Sequence, residues 1–441
     1  MPFKKIPGLD LEYALINFDD NGAERTDDPV GGVFSRALID KVRQEKPTHI
    51  FLFSHGWKGD VPAAIDQYNR WIGAMWKLDA DRQSMGAGFR PLFIGLHWPS
   101  QPWGEESQGG AAVSFGTADA PDFNAVLEAA VEHFGGGEEV KRPLQVIFGA
   151  FEDNPATRVL PDEVLTAYQD LAAAIGFSAG GEADAAPDEE GAALDPQAAV
   201  RAERLANAGE SFGILGTLKS GILAGLRQAS FWLMKHRART VGEQGMHHFV
   251  AELQRVSTAR IHLMGHSFGC IVVSSILGGP NGTDRLPRPV ESVVLVQGAL
   301  SLWSFADRLP ESPKPGYFRA LLPLGNASGA VIGPIVTTQS EKDLAVGLAY
   351  PAAVGLVDEV DFAPNAPLPK FGGVGTFGIQ GNPLAESGDL LDQQGAYGFL
   401  PGRVYNLNGS RFIGGHSAID GPEVAHLLWE AARAVGAGQH P

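Results

Sequence analysis

Cysteine is almost absent from this chain. Cys270 is the only one in 441 residues, so no intrachain disulfide can form. Its place in an apolar run reads as a small buried residue and fits a reducing compartment. Long hydrophobic runs are lacking as well: no stretch reaches the roughly 18 apolar residues that a bilayer span needs. The N-terminal Met-Pro-Phe-Lys-Lys-Ile-Pro-Gly has no apolar core of the kind a secretory leader carries. A cytoplasmic protein without a transmembrane segment is therefore expected. Positive charge is also in short supply, with 34 Lys and Arg against 51 Asp and Glu and a formal net charge of −17. Neutralising phosphates needs clustered cations, so no nucleic-acid partner is expected.

What the chain does have is apolar residues, 44% of the total with 8 Trp and 24 Phe, enough to fill a sizeable core. Leu11 to Phe18, Thr48 to Ser54 and Pro91 to Trp98 read as short buried strands. Phe34, Ala37, Leu38 and Val42 recur at helical spacing. So do Val61, Ile65, Tyr68, Ile72, Met75 and Trp76, with Asp60 placed to cap that helix. Strands alternating with helices predict an α/β fold with a mainly parallel sheet and helices on both faces.

The alternation stops after Pro99. Residues 101–240 hold Gly-rich patches, a helical stretch from Pro161 to Ile175, an acidic low-complexity segment near 180–195, and an amphipathic stretch from Ser211 to Met234. This is read as an insertion, a cap or lid, between core segments 1–100 and 241–441. In the second core segment a helix over 241–256 leads to strands at Ile261 to Met264, Val290 to Val296, Ala330 to Thr338 and Arg403 to Leu407. Residues 356–402 read as irregular. A closing helix carries Val424, Leu427, Leu428, Ala431 and Val435, with Asp420 and Glu423 at its start.

The stretch Arg260 to Gly279 carries the chemistry. Ile261 to Met264 is a strand, Gly265-His266-Ser267-Phe268-Gly269 fits G-x-S-x-G, and Cys270 to Leu277 is an apolar helix. A turn that presents a hydroxyl at the top of a sheet is so sharp that side chains two residues to either side would collide, and Gly265 and Gly269 remove them. The following helix aims backbone N–H groups at the place where negative charge develops on an attacked carbonyl, Phe268 first. A second G-x-S-x-G, around Ser178, runs into the acidic segment where no helix can easily begin, and is read as a chance match.

A serine hydroxyl needs a base, and the base needs a carboxylate. His416 sits in a Gly-flanked loop (Gly414-Gly415-His416) after the last strand. Asp343 follows the strand that ends at Thr338, with Glu341 on the same loop, and Asp307 is the nearest acid after the preceding strand. The chain order Ser267, Asp343, His416 is nucleophile, acid, base. With that order and the G-H-S-F-G elbow, the sequence resembles the α/β-hydrolase family over about 1–100 and 240–441. His55-Gly56-Trp57 after an early strand is similar to the family's oxyanion loop. The resemblance implies an oxyanion hole formed by the N–H groups of Trp57 and Phe268, with His55 and Gly56 supporting that loop.

The expected activity is hydrolysis of a carboxylic ester through an acyl-enzyme, on a small-molecule or lipid-like substrate with a hydrophobic acyl or alcohol part. The apolar face around Phe231 and Trp232 is the reason for that last element. A thioesterase, amidase or acyltransferase would use the same three groups, and a non-catalytic binding protein could use the same scaffold. No cofactor is expected, because no dinucleotide or P-loop glycine pattern follows a strand. No metal is expected either: His247 and His248 are adjacent, so on a helix their side chains diverge by about 100°.

Overall fold

The computed structural model describes residues 2–26, 32–57, 61–100, 123–153, 159–176, 194–197, 199–200, 214–324, 328–343 and 367–435. The chain divides into two units. One comprises Met1–Ser100, His236–Gly347 and Gly372–Pro441; the other comprises Gln101–Lys235 and Leu348–Phe371. The first unit therefore resumes at His236, not at 241, and a later stretch joins the 101–235 segment.

The first unit is built on one nine-stranded sheet. Its strands are β1 (Phe3–Lys5), β2 (Glu12–Asn17), β3 (His49–Ser54), β4 (Pro91–His97), β5 (Arg260–His266), β6 (Ser292–Val296), β7 (Ile335–Gln339), β8 (Ala385–Asp389) and β9 (Val404–Asn408). They lie in the order β1-β2-β4-β3-β5-β6-β7-β9-β8. Only the β1–β2 pair is antiparallel among the described strand pairs. The register lines up the strand ends: Ser54 pairs with Gly265, His266 with Val296, Val296 with Thr338, and Gln339 with Asn408. Loops leaving β3, β5, β6, β7 and β9 thus emerge along one carboxyl edge, where open parallel sheets collect their reactive groups.

The central strands are apolar on both faces, as a covered parallel sheet requires. On one face Phe51, Phe53, Met264, Val294 and Val336 form a buried core with Tyr68, Trp71 and Ile72 of the helix Val61–Lys77 and with Leu427 and Trp429 of the helix Pro422–Arg433. The alternate residues Leu52, Leu263 and Leu295 are also buried. On their side the helix Gly269–Gly278 packs against β3, β5 and β6 and against the helix His247–Val256. The helix Phe34–Glu45 completes that layer against His247–Val256.

Several elements differ from the sequence reading. The strand expected from Ala330 is shorter and begins at Ile335, directly after Pro334, which has no N–H to give to a ladder. Residues 356–402 contain β8 and a helical turn at Val374–Phe377. β8 reads Ala-Glu-Ser-Gly-Asp and is largely exposed, so it carries no hydrophobic signal. Asp420 does not cap the closing helix, whose N-cap is Gly421; its carboxylate pairs instead with Arg70 Nε at 2.8 Å. Ala37 is exposed and Ile39 is buried on the first helix.

The helices described in the second unit include Phe123–His133, Glu138–Asp153 and Asp162–Ala174, and a long helix spans Ile214–Val241. Only the third and part of the fourth were legible as periodic patterns. Phe231 and Trp232 are buried. Asp60, Ser178 and nearly all of the acidic segment lie outside the described residues. Among the described residues no helix is long and apolar enough to cross a membrane.

Candidate active site

β5 ends at His266, and Ser267 follows with φ +54°, a left-handed conformation that side chains other than glycine rarely adopt. Neighbouring backbone holds it there: Ser267 N–H donates to Val296 O at 3.2 Å, and Ser267 O accepts from Ala299 N–H at 3.1 Å. The flanking glycines are there for space. A Cβ on Gly265 would lie 2.4 Å from Gly269 O, and one on Gly269 would lie 2.3 Å from Ser54 O, both fixed backbone atoms. Cys270 is buried behind the turn, its thiol donating to Gly265 O at 3.2 Å; burial pushes that thiol well above its ordinary range, so it stays protonated.

The three residues separated in sequence meet above this turn. Ser267 Oγ–H donates to His416 Nε2 at 2.9 Å, and His416 Nδ1–H donates to Asp343 Oδ2 at 2.9 Å. The Asp343 carboxylate is fully buried, whereas the His416 side chain is about one-fifth exposed. An acceptor-only carboxylate on Nδ1 leaves the lone pair on Nε2, facing the hydroxyl. The acid-bearing loop is tied to the base-bearing one, since Ser340 Oγ–H donates to Ile413 O at 2.9 Å. His416 is held from behind by His266: its Nε2–H donates to His416 O at 2.9 Å, its Nδ1 takes an N–H of Gln67 at 3.3 Å, and the two imidazoles lie 4.8 Å apart. In the sequence His266 is legible only as a member of the G-H-S-F-G turn; nothing local marks its contact with the His416 backbone.

The other acids stand elsewhere. Glu341 is exposed and Asp307 forms an ion pair with Arg319. The side chain that does extend from the end of β6 toward Asp343 is Gln297, whose Nε2–H donates to Asp343 Oδ2 at 2.8 Å. Sequence reasoning passed over it because an amide between a valine strand and a glycine has no charge to mark it. His262 sits near the opposite end of β5, its Nδ1 with Ser292 Oγ and its ring stacked on Phe51 and His49.

The His55-Gly56-Trp57 loop lies directly on the elbow. A Cβ on Gly56 would come 2.5 Å from Ser267 Cβ, and the Trp57 ring packs edge-on against Phe268 at 5.6 Å. His55 braces it. Its N–H donates to Tyr68 Oη at 2.8 Å, Nδ1–H donates to Gly56 O at 2.7 Å, Nε2 accepts from Trp98 N–H at 3.4 Å, and its ring stacks on Trp98. Burial, with His97 nearby, pushes this imidazole down to about 3, so it is neutral at physiological pH and acts as a brace and not as a proton carrier.

One group of potential metal ligands, Asp81, His426 and Glu430, lies among the described residues. Its donors are already committed. His426 Nδ1 faces Asp81 Oδ2 at 2.8 Å and Nε2 faces Gly395 O at 2.7 Å, while the Arg433 guanidinium pairs with both carboxylates. With a fixed cation at the carboxylates and both ring nitrogens engaged, the cluster reads as a clasp between helices. Compared with protein-family models, with curated proteins and with solved structures, the chain matches none.

Proposed function

We propose that this chain is a serine hydrolase of the α/β-hydrolase family that cleaves a carboxylic ester through an acyl-enzyme. The observation that carries the reading is His416, placed 2.9 Å from both Ser267 Oγ and Asp343 Oδ2. The parallel strand order and the strained serine after β5 support the family assignment.

In this mechanism Ser267 Oγ attacks the ester carbonyl carbon while its proton passes to His416 Nε2, and the buried Asp343 carboxylate stabilises the imidazolium. The carbonyl oxygen becomes an oxyanion held by the backbone N–H groups of Phe268 and Trp57. Collapse breaks the bond to the alcohol, which leaves with the proton from Nε2. Water then repeats the sequence on the acyl-enzyme, giving its proton to Nε2; that proton returns to Ser267 Oγ as the carboxylic acid departs.

The test is labelling by a fluorophosphonate probe. Wild type is expected to label at one serine and Ser267→Ala not at all; a wild-type chain that stays unlabelled removes the proposal. A p-nitrophenyl ester series of rising chain length, beside matching thioesters and anilides, then separates esterase from thioesterase and amidase action.

A further inference from the structure

Gln297 follows β6 directly and is fully buried. Its backbone has φ +48°, the same unusual region as Ser267. Every polar atom of its side chain is spent. Nε2 donates to Asp343 Oδ2 at 2.8 Å and to Gly375 O at 3.1 Å, and Oε1 accepts from Thr338 Oγ1–H at 3.0 Å. Its own N–H donates to Thr338 Oγ1 at 3.1 Å. The carboxylate of Asp343 and the carbonyl of Gly375 can only accept, so the NH₂ end of the amide must face them, and Oε1 is left to the Thr338 hydroxyl.

We propose that Gln297 is a positioning residue of this site, its amide holding the Asp343 carboxylate aimed at Nδ1 of His416. The inference rests on the serine-hydrolase reading. A buried carboxylate is costly unless donors surround it, and Oδ2 takes two, one from the base and one from a neutral amide that carries no competing charge. Packing alone does not explain the residue, because Met or Leu would fill the space without bringing a polar group into the interior. The strained backbone is consistent with a side chain that must reach one particular point.

The sign of the effect follows from the donor. An N–H shared with the carboxylate weakens its pull on the imidazole proton, so removing it leaves a more basic carboxylate and an imidazolium that keeps its proton to higher pH. Among the described residues, the titratable Asp343 and His266 face His416, and neither is substituted in the variants below.

The experiment is the rate of fluorophosphonate labelling of the full chain against pH for wild type, Gln297→Met, Gln297→Glu and Thr338→Val. In Gln297→Met the acidic limb is expected to move up by roughly half a pH unit or more, and the plateau rate to fall about tenfold. Gln297→Glu places a second buried carboxyl beside Asp343; the two share one proton, the carboxyl O–H takes over the amide's role as donor, and the limb moves less than in Gln297→Met. Thr338→Val, which removes the hydroxyl bonded to the amide oxygen and loosens the side chain, gives a smaller shift of the same sign and carries the test if the Gln297 variants fail to fold. Folded variants whose acidic limb coincides with wild type overturn the role of Gln297 while leaving the hydrolase reading intact. An unlabelled wild type overturns the hydrolase reading itself. The downfield proton resonance of the His416 Nδ1–H then still decides the contact: it moves in Gln297→Met if the amide acts on Asp343, and an unmoved resonance ends the proposal.

Discussion

At the residue scale, the acid of the proposed triad is decided by reach and burial. Asp343, Glu341 and Asp307 are equivalent as chemical groups, but only Asp343 is buried against His416, and Asp307 is paired with Arg319. Asp343→Asn is therefore expected to slow ester hydrolysis by about 10⁴, the scale seen when a triad loses its carboxylate. Asp307→Asn should stay within about twofold, as for an exposed ion pair remote from the chemistry. Initial rates on a p-nitrophenyl ester check both, and a large loss in Asp307→Asn with activity retained in Asp343→Asn would reverse the assignment.

At the element scale, the site is an encounter of strand ends. β3 delivers the His55-Gly56-Trp57 loop against the turn that follows β5, so closely that Gly56 has no room for a Cβ beside Ser267. His55 keeps the loop there by bonding to Tyr68 on one side and Trp98 on the other. Gly56→Ala must push the loop off the elbow. Because that loop carries one proposed oxyanion donor, kcat should fall by about 10²–10³ with KM far less affected. Steady-state kinetics together with an unchanged far-UV circular dichroism spectrum would separate this effect from unfolding.

At the scale of the whole molecule, buried histidines set the response to acid. Burial, with Arg260 nearby, lowers His49 to about 4; burial with His97 lowers His55 to about 3; burial with His49 and Arg260 takes His262 well below the usual imidazole range. A group whose folded pKa is depressed contributes stability that is complete above its unfolded value, near 6.5, and is lost as pH falls toward the folded one. Each can withdraw up to about 1.4 kcal/mol per pH unit. Glu291 acts in the opposite sense: burial raises it to about 6, so its contribution is present below about 4.5 and lost as pH rises through 6, a partial offset. Tm is therefore expected to drop by on the order of 5–10 °C between pH 6.5 and 4.5, and the slope should be shallower in His262→Gln. Thermal melts across that range would show it, and a flat profile would mean that these rings are not held neutral.

The sequence by itself determined most elements of the sheet-bearing unit and marked the residues proposed for its chemistry. Short apolar runs alternating with amphipathic helices dictate a covered parallel sheet, because such strands can be satisfied only when both faces are buried. The G-H-S-F-G turn between a strand and a helix marks Ser267 because its glycines answer a steric demand that is local in the chain. His416 and Asp343 were legible only as loop residues after strands, since nothing local says that they meet. The tertiary structure alone decided that pairing, along with Gln297 behind Asp343, His266 behind His416, and the strand at Ala385–Asp389, whose polar sequence lacks the apolar alternation of a buried strand. The physical reason is common to all four: they are satisfied by partners from 46 to 150 residues away or on a neighbouring strand, and hydrogen bonds of that range leave no periodicity in the sequence.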